Sequence, residues 1–181
     1  MKFTVRDMVE AALLVALAVV LGFIKIPLPG ALGHVSLSFI PLILIALRNG
    51  PIKTFIYTGG VYGIIDCLLD GWGISTYPLE YLLAVGFLFI VSLFRKQLFN
   101  GKKNVTKEFV IIVLTIVVWS GLRLLLCSLD GFIQGWAPTF GESFIINAPN
   151  VLIDSGFTLV VLLLIYLPLR PLNVEKYLES K

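Results

Sequence analysis

Residues 109–129 read FVIIVLTIVVWSGLRLLLCSL, an apolar run in which Arg123 is the single charged side chain. A helix of about 20 apolar residues crosses the hydrocarbon core of a bilayer. The run is nearly continuous, whereas the strands of a transmembrane barrel alternate. A helix also satisfies its own backbone hydrogen bonds, as lipid requires. This stretch therefore predicts a membrane-spanning helix.

Similar apolar segments occupy much of the remaining chain. It is 58% hydrophobic and 14% charged, with a mean hydropathy of +0.98, whereas soluble domains carry about 25% charged residues. We therefore predict an all-α integral membrane protein, a bundle of six transmembrane helices forming one domain over residues 1–181. The approximate spans are 8–26, 36–47, 52–69, 77–94, 109–129 and 150–169. The second is short and contains Pro41, which suits a partly broken helix packed in protein.

Lysine and arginine residues are unevenly distributed around these spans. Twelve of the fourteen lie before the first span, between the second and third, between the fourth and fifth, or after the last. Only Lys25 and Arg123 depart from this pattern. Connections rich in Lys and Arg stay on the cytoplasmic side. The pattern predicts cytoplasmic termini and a lipid bilayer as the surroundings, with no nucleic-acid partner.

Acidic residues gather on the opposite, outer side. Six of the eleven fall there: Asp66, Asp70, Glu80, Asp130, Glu142 and Asp154. Ionisable groups at membrane depth are costly and usually face a cavity or a partner. One interpretation is an outward-facing pocket that accepts a cationic ligand. The other is a hydrated loop surface, with Asp154 paired to Arg123.

Aromatic side chains accompany these acids. They are Trp72, Tyr77, Tyr81 and Trp136. Such rings stack on a flat heterocycle or contact a cation, but Trp and Tyr also form belts at the membrane interface. Trp136 favours binding, because it lies in a long outer segment, residues 130–150, that is rich in Gly and Pro. Long loops of this kind are often binding loops.

Two asparagines flank Pro149 near the predicted start of the last span. Asn147 and Asn150 each offer a donor and an acceptor that can read the edge of a heterocycle. Capping of the helix is the alternative.

Catalytic and metal-binding patterns are absent from the sequence. There is no HExxH, GxSxG or P-loop motif, and Cys67 and Cys127 lack metal-type spacing. We expect no catalytic residue, no metal and no cofactor. The single histidine, His34, lies in a predicted loop; it is a candidate ligand contact, although a loop or capping role is simpler. ATP hydrolysis would need a partner subunit.

Small residues mark two helix faces. Ala12 and Ala16 are four residues apart on the first span and share a face, which Ala11 and Ala18 widen. Small residues let helices approach closely in lipid. The face either docks another membrane protein or packs internally. Gly59 and Gly63 form a similar pair, for which we predict internal packing.

Several segments together resemble a known family. They are FIPLILIALRNG at 39–50, YGIID at 62–66, LEYL at 79–82 and APN at 148–150. In order and spacing they are similar to the substrate-binding S components of energy-coupling factor vitamin transporters, most of all the thiamine-specific members. The resemblance covers nearly the whole chain. It implies a vitamin-binding subunit, with thiamine as the best match, in the plasma membrane of a bacterium.

The resemblance also implies partners and roles for particular residues. Ala12 and Ala16 would dock on an EcfT-type membrane protein that is coupled to two ABC ATPases. Glu80 would accept a hydrogen bond from an amino-heterocycle, and Tyr81 and Trp136 would border the ring. The other candidate contacts are Asn150 and Asn147 at a polar edge, Asp66 or Asp130 against a cationic ring, and Tyr77, Trp72 and His34.

Some positions depart from the thiamine-specific pattern. The first outer loop, residues 31–36, lacks the aromatic and the acid of those members, and Cys127 or Ser128 replaces a histidine of the fifth span. Other ligands therefore stay open: hydroxymethylpyrimidine, pyridoxine or folate, although folate is anionic and the outer face is acidic. A different class also stays open, a self-sufficient ion-coupled transporter that uses Asp66, Asp154 and Arg123 as a relay.

Overall fold

The computed structural model describes residues 4–27, 34–98 and 105–179, with side chains at 4–24, 35–98 and 105–166. Within these ranges six main helices follow one another. They are α1 (Val5–Gly22), α2 (Phe39–Arg48), α3 (Pro51–Asp70), α4 (Ile74–Leu93), α5 (Val105–Ile133) and α6 (Phe140–Glu179). A short helical turn, Arg95–Leu98, lies between α4 and α5.

Four of these helices are long and apolar enough to cross a membrane. They are α3, α4, α5 and the part of α6 over Phe140–Tyr166. The shorter helix α2 is also apolar but lies inside the protein, since Leu42, Ile43, Ile45 and Ala46 have no exposed surface. Pro41 falls in the first turn of α2. Backbone N–H groups there have no partner within the helix, so a proline costs no helical hydrogen bond. The predicted all-helical membrane fold is confirmed.

The helices α3 and α4 are not regular throughout. Ile56–Tyr62 in α3 and Tyr77–Leu83 in α4 have π-helical hydrogen bonding, and α4 begins with a 3₁₀ turn at Ile74–Thr76. Such π-helical turns are rare and are often found at functional sites.

A small hairpin follows α1, where the sequence predicted only helix and loop. Strand β1 (Lys25–Pro27) pairs antiparallel with β2 (His34–Ser36), in a register that places Lys25 opposite Ser36. The predicted first span, 8–26, is therefore wrong at its end, because the helix ends at Gly22. Pro27 has no N–H to donate to a helical hydrogen bond. The backbone groups near it are satisfied instead by pairing between β1 and β2.

The predicted long loop over residues 130–150 is also wrong. The helix α5 continues to Ile133 and α6 begins at Phe140, so the connection is only residues 134–139. Thr139 caps α6, because its Oγ1 accepts a hydrogen bond from the Glu142 N–H at 3.2 Å. The pattern Thr139-x-x-Glu142 is a capping-box signature that the sequence already contained. Pro149, read as a loop residue, lies inside α6, and membrane helices tolerate proline.

Helices α3 and α4 meet at the backbone level. A Cβ atom on Gly59 would lie 2.9 Å from the Gly86 Cα and still closer to the Leu82 carbonyl oxygen, and one on Gly63 would lie 3.0 Å from the Tyr81 carbonyl oxygen. Gly59 and Gly63 therefore pack internally, as predicted.

We expect Gly59→Ala to destabilise the protein by about 1–3 kcal/mol, because the new methyl group overpacks a contact between two backbones. The matched control is Gly60→Ala. A Cβ there meets nothing within 4 Å, so the change is neutral or stabilising through helix propensity. Thermal unfolding in detergent checks both variants. Equal melting temperatures would contradict the close helix contact.

Two ion pairs connect α1 to its neighbours at the end that carries most cations. Glu10 pairs with Arg48, and Asp7 pairs with Lys53 at 2.6 Å. Both acidic residues near the start of α1 are therefore paired with cations of neighbouring helices. At the opposite end of the bundle the polar residues surround a cavity.

Candidate functional site

A cavity of about 590 Å³ lies where α3 ends and α4 begins. Its volume is within the range of small-molecule sites, about 300–1,000 Å³. Strand β2, the last residue of α1 and helices α2, α5 and α6 complete its wall. The site is therefore assembled from most of the bundle rather than from one loop.

Carboxylates dominate the charge of the cavity wall. Asp66 and Asp70 come from α3, Glu80 from α4 and Asp154 from α6. Arg123 of α5 is the one cation among the described lining residues. Its Nη1 donates to Asp154 Oδ2 at 2.8 Å. The structure thus contains both the polar cavity and the Asp154–Arg123 pair that the sequence offered as alternatives.

The π-helical turn of α4 places Glu80 and Tyr81 at the cavity. Tyr81 is almost fully buried, and its hydroxyl donates to Asp70 Oδ2 at 3.0 Å. Glu80 is half-buried on the same turn. Tyr62, one turn before Asp66, also lines the cavity and is fully buried. Tyr62 was missed in the sequence, although its spacing of four from Asp66 places both on one helix face.

Two tryptophans lie at the cavity on neighbouring turns. Trp72 sits between Gly71 and Gly73. Their φ angles, 74° and 102°, are positive, a backbone conformation that favours glycine. Trp136 follows Gly135, whose φ of 74° ends α5. The backbone N–H of Trp136 donates to the Gly131 carbonyl oxygen at 2.9 Å. This is the Schellman geometry found at the ends of helices.

The tryptophan rings are 5.4 Å apart between centroids, tilted by 52°. A hydrogen bond from Ser75 Oγ to Gln134 Oε1, 3.2 Å long, joins the same two turns. Trp72 and Trp136 remain 63% and 51% exposed. They therefore offer aromatic surface at the cavity rather than buried packing.

Asn147 and Asn150 line the cavity from inside α6, so the capping interpretation is wrong for both. Asn147 Nδ2 donates to the Ser143 carbonyl oxygen at 2.9 Å. Asn150 differs, because its buried Oδ1 has no hydrogen-bond partner among the described residues. A buried acceptor without a partner is costly, and here it belongs to a residue of the cavity wall.

These features fit one family. The family model described as Thiamine transporter protein (Thia_YuaJ) matches residues 8–174. The chain belongs to this family. A solved structure of ThiT from Listeria monocytogenes has the same fold, with a TM-score of 0.75 at 23% sequence identity, over 93% of this chain and 96% of that chain. The comparison with curated proteins gave no match.

Membership in the thiamine transporter family makes the chain a multi-pass membrane protein and an S component. Such a component is a binding and transport subunit, not an enzyme. Within the described residues no group of three His, Cys, Asp or Glu side chains could hold a metal ion. Cys67 and Cys127 are buried free thiols.

Two candidate residues with described side chains, Tyr77 and Asp130, do not line the cavity. The Tyr77 hydroxyl donates to the Gly59 carbonyl oxygen at 3.3 Å and so joins α4 to α3. Asp130 is 1% exposed, on the inner face of α5. The side chain of His34 lies outside the described residues, although its backbone belongs to β2.

Ser36 and Ser38 line the cavity and were also missed. Ser36 Oγ donates to Ser38 Oγ at 2.9 Å and accepts from the Ser38 N–H at 3.2 Å. Both serines lie in the stretch before α2, where the sequence placed the start of a span. The signal that could have identified them is their polarity at the start of an otherwise apolar span, close to Pro41.

The small-residue face of α1 divides into two parts. Ala11 and Ala18 have no exposed surface and pack inside the bundle. Ala12 and Ala16 are exposed. Internal packing therefore describes Ala11 and Ala18. Ala12 and Ala16 instead form an exposed strip of small side chains on the outside of α1.

Proposed function

We propose that the cavity binds thiamine as the ligand of this S component. Thiamine combines a cationic thiazolium ring with an aminopyrimidine that carries hydrogen-bond donors. The cavity combines four carboxylates with one arginine that is already paired to Asp154. This excess of negative charge next to exposed indole rings is the observation that carries the proposal.

The carboxylates divide the recognition of thiamine between its two rings. Glu80 accepts a hydrogen bond from the exocyclic amino group of the pyrimidine, as the resemblance implies. Asp66 and Asp70 lie on α3 one turn apart and offset the thiazolium charge. All three acids line the cavity, which supports these roles.

The aromatic and amide groups supply orientation. Trp72 and Trp136 contact the ring faces, and Tyr81 borders them from α4. Asn150 presents its unpaired Oδ1 to a donor of the ligand, which removes the cost of a buried acceptor. Asn147 contributes less, because its amide nitrogen already bonds to Ser143.

The experiment that tests the proposal is a titration of intrinsic fluorescence in the purified protein. Trp72 and Trp136 report a ligand that reaches the cavity. We expect saturable quenching by thiamine at nanomolar concentration and none by folate, whose carboxylates meet an acidic wall. Quenching by pyridoxine or hydroxymethylpyrimidine alone would keep the cavity as the site and replace the ligand. No response to thiamine would contradict the proposal.

The chain then delivers thiamine through partners. We assign these as an EcfT-type membrane protein and two ABC ATPases, with both termini of this chain in the cytoplasm of a bacterium. The exposed strip of Ala12 and Ala16 supports docking through α1, because small residues let another helix approach closely. The concentration of cations in the connections at the opposite end from the cavity supports this orientation.

We expect Ala16→Trp to abolish thiamine uptake by cells that contain the partner subunits, because an indole on the strip prevents close helix contact. Thiamine binding to the purified variant stays unchanged, since α1 contributes only Gly22 to the cavity. The matched control is Val117→Trp on the exposed side of α5, where Val117 is 58% exposed. Loss of uptake in both variants, or in neither, would contradict docking through α1.

A further inference from the structure

One ion pair holds two elements of the cavity wall at once. Asp154 and Arg123 bridge α6 and α5, and their side chains are only 4% and 14% exposed. The two oxygens of Asp154 have different partners. Oδ2 accepts from Arg123 Nη1 at 2.8 Å, and Oδ1 accepts from the backbone N–H of Ser36 at 3.0 Å. A carboxylate that accepts two hydrogen bonds while facing a cation is held in one orientation.

Arg123 extends this contact to the start of α2. Its guanidinium carbon lies 4.3 Å from the centroid of the Phe39 ring and 5.6 Å from that of Trp119. Trp119 is itself fixed, because its Nε1 donates to the Ala84 carbonyl oxygen at 2.9 Å. The ion pair thus contacts both ends of the segment from Ser36 to Phe39.

The segment held in this way is part of the site. Ser36, Ser38 and Phe39 all line the cavity, together with Arg123 and Asp154. Strand β2 packs against α6, and the contact between Asp154 and Ser36 is a charged hydrogen bond between them. Asp154 of α6 thus joins a cation from α5 to a backbone donor from β2.

We propose that Asp154 is a positioning residue that fixes the β2–α2 segment as a wall of the cavity and thereby slows the escape of thiamine. Arg123 holds the carboxylate in place, and the carboxylate holds Ser36. The pair is then a structural clamp rather than part of an ion relay. The effect on thiamine rests on the proposed function, whereas the clamp itself can be observed without ligand.

The ligand-free test is hydrogen exchange of the purified protein, comparing wild type with Asp154→Asn. We expect exchange of the Ser36 amide to increase far more than exchange in the middle of α5 and α6. An increase at Ser36 no larger than that in α5 and α6 would show a general packing role and overturn the proposal. This outcome does not depend on which vitamin binds.

The ligand test is the dissociation rate of thiamine, followed by tryptophan fluorescence. Ser36→Pro removes the N–H donor but suits an extended strand, and Ser36→Ala is the matched control that keeps the N–H. We expect Asp154→Asn and Ser36→Pro each to raise the dissociation rate about tenfold, as loss of a charged hydrogen bond implies. Ser36→Ala changes the rate much less.

The double variant Asp154→Asn/Ser36→Pro distinguishes a shared contact from two separate effects. Asparagine has one acceptor oxygen for the two donors of Asp154. With that oxygen on Arg123, its amide nitrogen faces the Ser36 N–H, so Asp154→Asn and Ser36→Pro disrupt the same contact. We expect the dissociation rate of the double variant to equal that of either single variant. Independent, multiplied effects would overturn the clamp. If wild-type protein does not bind thiamine, the proposed function fails, and the exchange of the Ser36 amide still decides the clamp.

Discussion

Glu80→Gln weakens thiamine binding by about 1.5–3 kcal/mol, that is, roughly ten- to a hundredfold in Kd. The substitution preserves the size of the side chain and removes its charge. It converts a charged acceptor into a neutral one opposite the amino group of the pyrimidine. Glu80 lies on the π-helical turn of α4, half-buried in the cavity wall, so water does not fully replace the lost interaction.

Titration of the tryptophan fluorescence measures this effect, and Glu142→Gln is the matched control. Glu142 undergoes the same chemical change at the same end of the protein, but it is exposed and outside the cavity wall. We expect its Kd to match that of wild type. An unchanged Kd in Glu80→Gln would remove Glu80 from the site, and equal losses in both variants would indicate long-range charge alone.

Arg123→Met destabilises the protein by about 3–5 kcal/mol, because it leaves the carboxylate of Asp154 buried without its cation. Only 4% of the Asp154 side chain is exposed. The Ser36 N–H alone does not balance a full negative charge. Thermal unfolding in detergent should show a fall in Tm on the order of 10 °C.

Two further variants separate the buried pair from ordinary surface charges. Arg123→Met/Asp154→Leu removes both charges, and we expect it to regain part of the lost stability. Lys53→Met breaks the ion pair with Asp7 at the other end, where Asp7 is 34% exposed, and costs at most about 1 kcal/mol. If the double variant is less stable than Arg123→Met, the cost does not come from an unpaired Asp154.

Much of the site follows from local pattern. Glu80 and Tyr81 are adjacent in the sequence, and both line the cavity. Trp72 and Trp136 were both candidate ring contacts in the sequence, and both line the cavity, although the turn that carries Trp136 is much shorter than the predicted loop. The error in the last span has a local cause as well. Gly141 and Pro149 indicated a loop, because both residues break helices in water, but a membrane helix accommodates them. The capping box at Thr139, which marks the true start of α6, was overlooked.

Other site residues could not be assigned from local pattern. Tyr77 is aromatic, on the same turn as Glu80, yet it faces Gly59 of α3 instead of the cavity. Asp130 is acidic and on the outer half of α5, yet it is buried outside the cavity wall. The direction of each side chain depends on how α4 and α5 are rotated in the bundle. Packing against neighbouring helices sets that rotation.

The sequence by itself determined the membrane class, the helical fold and the acidic character of one end. Each depends on composition or on residues close together along the chain: apolar runs that satisfy their own backbone, and charges sorted between the two ends. Only the tertiary structure decided which acids share a cavity and that Asp154 joins Arg123 to Ser36, a contact across 118 positions of the chain. Such a contact arises from the packing of α5, α6 and β2 together, and no local pattern encodes it.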